Sequence, residues 1–304
     1  SWSVLGGLRL SSYHSHGRSF ISPDPRITLH YHPSSSHTLS VHYGLYHQYL
    51  HQMSVSNGGL PVDYWTSSSP SVRPQQAHSI ALGYHFRSQK RMMEISAEVY
   101  YKKLSHQHEY SGSIFDFFTQ VYHIENNMIH GKGYNYGLNL MLKKNRGKLS
   151  GWVSYAIGSS RRRFPELSPT EWFNSTFDRR HDLSVVVNYR FNRHWSLGGD
   201  FVYASGTPYT KAKSVYVINN NLVSEYGKYN GSNLPATHRM DIALTYRFTP
   251  RGHREQSLNL SIYNLYARRN VLFSYLGFQE ENFGYKHVYS LCRMLLSIGY
   301  TLNF

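Results

Sequence analysis

Segments of about ten residues in which apolar and polar side chains alternate recur along the whole chain, while helical periodicity is almost absent. Successive side chains of a strand point to opposite faces, so these segments are strands whose two faces meet different surroundings. The pattern predicts strands over Val4–Tyr13, Arg26–Tyr31, Thr38–Tyr46, Ala77–Phe86, Met92–Lys103 and Tyr134–Lys144. It continues over Lys148–Gly158, Arg180–Phe191, His194–Ala204, Thr237–Phe248, Gln256–Leu265 and Tyr289–Asn303, about twelve strands in all. The class is all-β.

The connections alternate in length. Short turns fall at Pro33–Ser36, Arg87–Arg91, Asn145–Gly147, Asn192–Arg193 and Thr249–Glu255. Long connections rich in Gly, Ser, Asn and Pro fall at His47–Gln76, Leu104–Gly133, Ser159–Arg179, Ser205–Ala236 and Ala267–Val288. Short turns on one side and long loops on the other are how a transmembrane antiparallel up-and-down β-barrel is built, with turns in the periplasm and loops outside. An even number of strands ending in the periplasm would put Ser1 on that side as well.

The strand faces point the same way, since a membrane barrel turns its apolar face outward and its polar face to the lumen. In the last segment Met294, Leu296, Ile298, Tyr300, Leu302 and Phe304 oppose Arg293, Ser297, Gly299, Thr301 and Asn303. From Thr237, the set Met240, Ile242, Leu244, Tyr246 and Phe248 opposes Arg239, Asp241, Thr245 and Arg247. Phe86, Tyr189, Phe191, Tyr246, Phe248 and Phe304 lie near the short turns, where an aromatic girdle meets headgroups, and the 27 Tyr residues fit such a girdle. A soluble β-sandwich also alternates, but does not ordinarily alternate its loop lengths so regularly. With Cys292 as the single cysteine, an internal disulfide and a Cys-based zinc site are excluded. The net charge of +15 is spread over strands and turns without a nucleic-acid-binding motif, so no nucleic acid is expected.

Leu295 to Phe304 (LLSIGYTLNF) resembles the terminal strand of outer-membrane barrels, which ends on an aromatic residue read by the assembly machinery. Gly133 to Leu140 (GYNYGLNL), Leu149 to Tyr155 (LSGWVSY) and Phe177 to Ser184 (FDRRHDLS) form part of a narrower likeness. It continues through Trp195 to Tyr209 (WSLGGDFVYASGTPY), Pro235 to Ile242 (PATHRMDI) and Ser257 to Tyr266 (SLNLSIYNLY). In this order and spacing they resemble the barrel of TonB-dependent receptors of the Bacteroidetes type. The resemblance implies residence in the cell outer membrane and energised uptake of a scarce, bulky nutrient: a siderophore, haem, cobalamin, glycan or peptide. It also implies a barrel of 22 strands around a plug that meets the TonB complex. Residues 1–304 read as an outer-membrane barrel segment corresponding to the C-terminal part of such a barrel, with the plug absent from this chain. A self-closed barrel of twelve strands is physically open too, and a plugless barrel acting as passive pore, adhesin or scaffold is the alternative function.

Under the receptor reading the chain is not an enzyme, and no catalytic group, metal or cofactor is expected; no Gly-x-Ser-x-Gly nucleophile elbow occurs. Arg180, Asp182, Asp200, Arg239 and Asp241 are the expected lumenal charge network, pairing with one another, with the plug or with ligand. Tyr64 and Trp65, and Trp172 and Phe173, place aromatics in polar loops, as either a ligand-binding surface or loop-on-loop packing. Arg161, Arg162 and Arg163, at the mouth beyond a strand ending near Gly158, read as steering an anionic ligand, binding lipopolysaccharide phosphate, or simply solvated. Nineteen His residues, including His30, His32, His37, His42, His47 and His51, raise the question of haem, conceivable at His106 and His108; solvated imidazoles are the default. Outer-membrane lipid, lipopolysaccharide, TonB through a plug, and a surface lipoprotein are the expected partners.

Overall fold

Alternation becomes one antiparallel sheet in the computed structural model, which describes residues 1–54, 63–88, 90, 92–110, 124–218, 221–249, 254–279 and 282–304. In chain order the strands are β1 (Trp2–Ser15), β2 (Arg18–Ser34), β3 (His37–Gln48), β4 (Leu50–Ser54), β5 (Asp63–Ser67), β6 (Gln75–Ser88), β7 (Met93–Tyr110), β8 (Met128–Lys144), β9 (Leu149–Arg163) and β10 (Phe173–Asn174). There follow β11 (His181–Arg190), β12 (Trp195–Ala204), β13 (Pro208–Tyr209), β14 (Ala212–Ile218), β15 (Asn221–Tyr226), β16 (Ser232–Asn233), β17 (Thr237–Arg247), β18 (Glu255–Tyr263), β19 (Val271–Gln279), β20 (Asn282–Tyr289) and β21 (Leu295–Asn303). Twelve of them pair as neighbours in the order β1-β2-β3-β6-β7-β8-β9-β11-β12-β17-β18-β21, with β10 added beside β9. Among the described residues no helix is long and apolar enough to cross a membrane.

The expected strands are present, with four departures. The stretch between Tyr13 and Arg26, assigned to no strand from the sequence, is paired: β1 and β2 pair from Trp2 opposite Tyr31 to Ser15 opposite Arg18. Their turn holds His16 at φ 50° and Gly17 at φ 73°, the doubly left-handed backbone of a two-residue hairpin, which glycine adopts freely. Tyr289–Asn303 is not one strand but the end of β20 and, after a break, β21; Met294 lies outside the strand. Three long connections carry hairpins of their own, β4–β5, β14–β15 and β19–β20. Finally, three strands overrun their expected ends: β7 runs on past Lys103 to Tyr110, β8 begins at Met128 rather than Tyr134, and β9 runs on past Gly158 to Arg163.

Register sorts the two faces continuously across the sheet. Ile80 faces Tyr101, Leu82 faces Val99 and Phe86 faces Ile95 across β6 and β7, while Ser79, Gly83 and Glu98 share the opposite face. Leu183, Val185, Val187 and Tyr189 of β11 lie beside Tyr155, Val153, Gly151 and Leu149 of β9, in the same apolar band. Side chains in this band are substantially exposed, Leu82 at 56% and Ile298 at 74%, as lipid-facing residues are when no lipid covers them. From Ile80 to Phe86 the band covers seven residues, about 20 Å of strand. The lower girdle includes Tyr189 and Phe191, 5.0 Å apart, and Trp195, Tyr246 and Phe248 in successive contacts of 4.8 and 4.9 Å. The outer edges of β1 and β21 carry no strand partner among the described residues, so the sheet does not close on itself.

Buried apolar side chains gather elsewhere. Met53, Val72, Tyr110, Met128, Phe164 and Phe173 are nearly inaccessible, and all lie where β4 and the upper ends of β7 to β10 project beyond the lipid-facing band.

Candidate functional site at the outer mouth

The upper parts of β7, β8 and β9 are positioned by their length. A tilted strand crosses the hydrocarbon in about 9–11 residues, and the lipid-facing aromatics of this wall end at Tyr101, Tyr136 and Tyr155. Glu109 and Arg162 lie seven or more residues further out, so they stand beyond the hydrocarbon.

Arg162 is on the lumenal side, where its guanidinium donates to Asn135 Oδ1 at 2.8 Å, Ser160 Oγ at 3.1 Å and its neighbour's carbonyl at 2.9 Å. Burial lowers its pKa to about 10, against the pull of Glu109 and Asp178. Although part of Glu109 is exposed, burial of the carboxyl pushes its pKa up to about 7, opposed by the Tyr229 hydroxyl and Arg162. Asp178 accepts the Ser160 backbone N–H at 2.6 Å, tying the segment before β11 to β9. Phe173 is buried edge-on against Tyr229 with ring centres 5.6 Å apart, and Asn230 Nδ2 donates to Asn174 O at 2.9 Å. Of the two readings of Phe173, its surroundings are those of loop-on-loop packing: the β10 segment packs on the β15–β16 connection.

On the opposite side three imidazoles meet edge to face. His51 and His108 lie 5.1 Å apart and His108 and His130 4.9 Å apart, with 2.8 Å between the Nδ1 atoms of the latter pair. His51 Nε2 meets Ser68 Oγ at 2.9 Å and His108 Nε2 meets Arg73 O at 2.7 Å. Burial is the main cause that lowers the pKa of each of His51 and His108 to about 4, so both are neutral at pH 7. They are not the solvated histidines the composition suggested. Among the described residues no cluster of His, Cys, Asp and Glu has the arrangement of a metal site. The sequence also gave no sign of the buried Asp24–His47 pair, 2.6 Å between Oδ1 and Nδ1.

The other expected residues divide. Asp200 is the direct cross-strand partner of Asp241, and Arg239 Nε donates to Asp241 Oδ2 at 2.9 Å while its guanidinium lies 4.3 Å from the Tyr263 ring centre. Asn264 N–H donates to the other oxygen of Asp241 at 2.7 Å. Asp182 shares that face one strand away, opposite Ala156 and Ala204 rather than a charge, and Arg180 contributes its carbonyl to Gly158 N–H. Trp65 is 63% exposed; the side chain of Tyr64 lies outside the described residues. Trp172 is half-buried, 4.8 Å from Tyr134 and 5.4 Å from the Arg163 guanidinium. The arginine run is not a loop cluster: strand alternation sends Arg161 and Arg163 to one face and Arg162 to the other.

A two-faced meander with one apolar and one polar wall, short turns below and hairpin-bearing loops above, defines the wall of an outer-membrane barrel. Residues 1–265 match the family model described as TonB dependent receptor-like, beta-barrel; the chain belongs to this family, which resides in the bacterial outer membrane. No curated protein sequence matches the chain. Among solved structures it is similar to the ferric citrate transporter FecA, with TM-score 0.64 and 15% identity over 99% of this chain and 43% of that one. It is similar to the ferric-catecholate import receptor Fiu from E. coli K12, with TM-score 0.64 and 12% identity over 99% and 42%. The ferripyoverdine receptor of Pseudomonas aeruginosa gives TM-score 0.64 and 11% identity over 99% and 36%. The chain thus spans about two-fifths of the length of these relatives.

Proposed function

We propose that these residues supply the C-terminal part of the barrel of a receptor that takes up a scarce, bulky nutrient, with energy delivered by TonB to a plug lying outside residues 1–304. The observation that carries the reading is the pair of open edges on a sheet whose outer face is apolar. In lipid an unpaired edge leaves backbone N–H and C=O groups without partners at several kcal/mol each, so β1 and β21 need further strands between them. Partial coverage of barrels in the same family supports those strands being the rest of one receptor. The polar lumenal face, with Arg239, Asp241 and Asp200 on one side and Arg162 at the mouth, suits passage of a hydrated, polar cargo. The loops above it offer Trp65 as an exposed aromatic contact, and a surface lipoprotein would meet the same hairpins.

The test is accumulation of ferric citrate, ferric catecholate, haemin and cobalamin by cells carrying the native full-length receptor, with and without a protonophore and with TonB removed. Energised uptake of one of them supports the reading. Steady ion conductance through the purified protein would mean a passive pore, and binding indifferent to the proton gradient would mean an adhesin or scaffold; either result overturns it. The intact mass of the native polypeptide is a separate check, expected to be about twice 35.3 kDa or more.

A further inference from the structure

The register that separates Arg162 from its neighbours also places a cationic cavity on the outside wall. On β8, Tyr136 and Tyr134 lead by alternation to Lys132 and His130, and on β9 Tyr155 leads to Arg161 and Arg163 with no break in pairing to β8. On β7 the pairing shifts between Leu104 and Gln107, beside His106 at φ 52°, which brings His108 opposite His130. Lys132, His130, His108 and Arg163 therefore share the face of the lipid-contacting tyrosines and stand just above them, at headgroup height. Between them is a cavity of about 490 Å³ lined by Arg73, His106, His108, His130, Lys132 and Arg163.

Cations outnumber the carboxylates at this cavity, with Arg73, Lys132 and Arg163 in the lining against Glu125 and Glu166 at the rim. Lys132 is the direct cross-strand partner of Arg163, and like charges so placed destabilise a sheet. Among the described residues neither forms an ion pair, and Arg163 Nε is buried without a hydrogen-bond partner. The nearby carboxylates are engaged at the rim: Glu166 accepts the His130 backbone N–H at 3.2 Å, and Glu125 accepts the Ser71 hydroxyl. Arg163 is held over Trp172, which packs on Tyr134, so the cations sit on an aromatic shelf continuous with Tyr101, 6.4 Å from Tyr134. Below the shelf, Tyr136, Leu138, Leu140 and Leu142 form an apolar strip down the same face of β8. Cations above, aromatics at the boundary and an apolar strip beneath are the three determinants of an anionic amphiphile. A nutrient entering the lumen would pass the opposite face of this wall.

We propose that the cavity binds the phosphate of an outer-leaflet glycolipid, with the acyl chains lying along the β8 strip. The site is independent of the uptake function, and its test needs no transported nutrient. Full-length receptor, freed of lipid in detergent, would be offered lipid A, the same lipid with its phosphates removed, and inorganic phosphate, and bound lipid counted by native mass spectrometry. Lipid A is expected to be retained at least tenfold better than the phosphate-free form, with inorganic phosphate competing only weakly. The double substitution Lys132→Ala and Arg163→Ala is expected to lower retention at least tenfold, while Arg146→Ala with Lys148→Ala, at the opposite end of the strands, leaves it unchanged. Heat-modifiable mobility on gels reports folding of each variant. Should the alanine pair fail to fold, Lys132→Gln and Arg163→Gln keep the side-chain stems and serve the same comparison. Equal retention of phosphate-free lipid, undiminished binding by the folded neutralised variant, or full displacement by inorganic phosphate would overturn the proposal.

Discussion

Strands β7, β8 and β9 have 18, 17 and 15 residues, whereas β11, β12, β17 and β18 have 10, 10, 11 and 9. Crossing the hydrocarbon takes about 9–11 tilted residues, so the second group is membrane wall and little else. The first group continues outward by about 20 Å, and on or against that extension lie the edge-to-face His51, His108 and His130, the Glu109–Arg162 network and the cationic cavity. Charges in the shorter wall stay half-exposed in the lumen: the side chains of Arg239 and Asp241 are 32% and 19% exposed. Strand length in excess of what lipid demands, rather than alternation, marks where this protein builds enclosed polar sites.

The comparison is tested most severely by Arg162→Ala. Removing one partner from a buried charge network costs about 3–5 kcal/mol, so the variant should lose protease resistance at the outer ends of β7 to β9 and unfold at lower denaturant in refolding titrations. A loss no greater than for a surface residue would mean that the extension is solvated. Next comes the face assignment of the short wall: Val185→Arg, lipid-facing at mid-strand, should cost about 2–4 kcal/mol in detergent-to-bilayer folding, and Val186→Arg, facing the lumen, far less. Equal costs would break the inside–outside assignment of β11.

Acid should distinguish the regions by about 2 kcal/mol of local stability. The folded-state pKa of His51 and His108 is depressed from 6.5 to about 4, so the stability their neutral burial contributes is present above pH 6.5 and lost as pH falls through 4. Glu109 runs the other way: its pKa is raised from 4.5 to about 7, so its contribution is fully present below 4.5 and lost as pH rises through 7. Hydrogen exchange at pH 7 and pH 4 should show β4 and the top of β7 opening in acid while β11 and β12 stay protected. The smaller effects come last: Arg239→Gln should cost about 1 kcal/mol because its pair is partly solvated, and Trp65→Ala should change stability by less than about 0.5 kcal/mol. A weakened affinity for nutrient in the Trp65 variant, measured by calorimetry, would sharpen its assignment as a loop contact.

Much of the wall was legible because lipid and water impose a period of two on every spanning segment; the mid-strand apolar positions from Leu82 to Ile298 could be read off directly. Two kinds of feature were not. The outer half of the β1–β2 hairpin was one: Ser22, Pro23, Asp24 and Pro25 break the alternation, yet they pair with β1 beyond the point where β2–β3 pairing begins, so one side of the strand is open there and proline is tolerated. The arginine run read as a cluster at the mouth, beyond the end of a strand, because three consecutive cations carry no alternation to show that they continue it.

By itself, then, the sequence determined a two-faced meander with its turns on one side and its loops on the other, since solvation of each face acts residue by residue. Tertiary structure alone decided which strands outrun the membrane, that Phe173 is buried against Tyr229 while Trp172 shelves Arg163, and that Lys132 stands opposite Arg163 while Arg162 turns to Glu109. Those outcomes depend on cross-strand register between segments tens of residues apart, and register is fixed by pairing over the whole sheet, which no local pattern records.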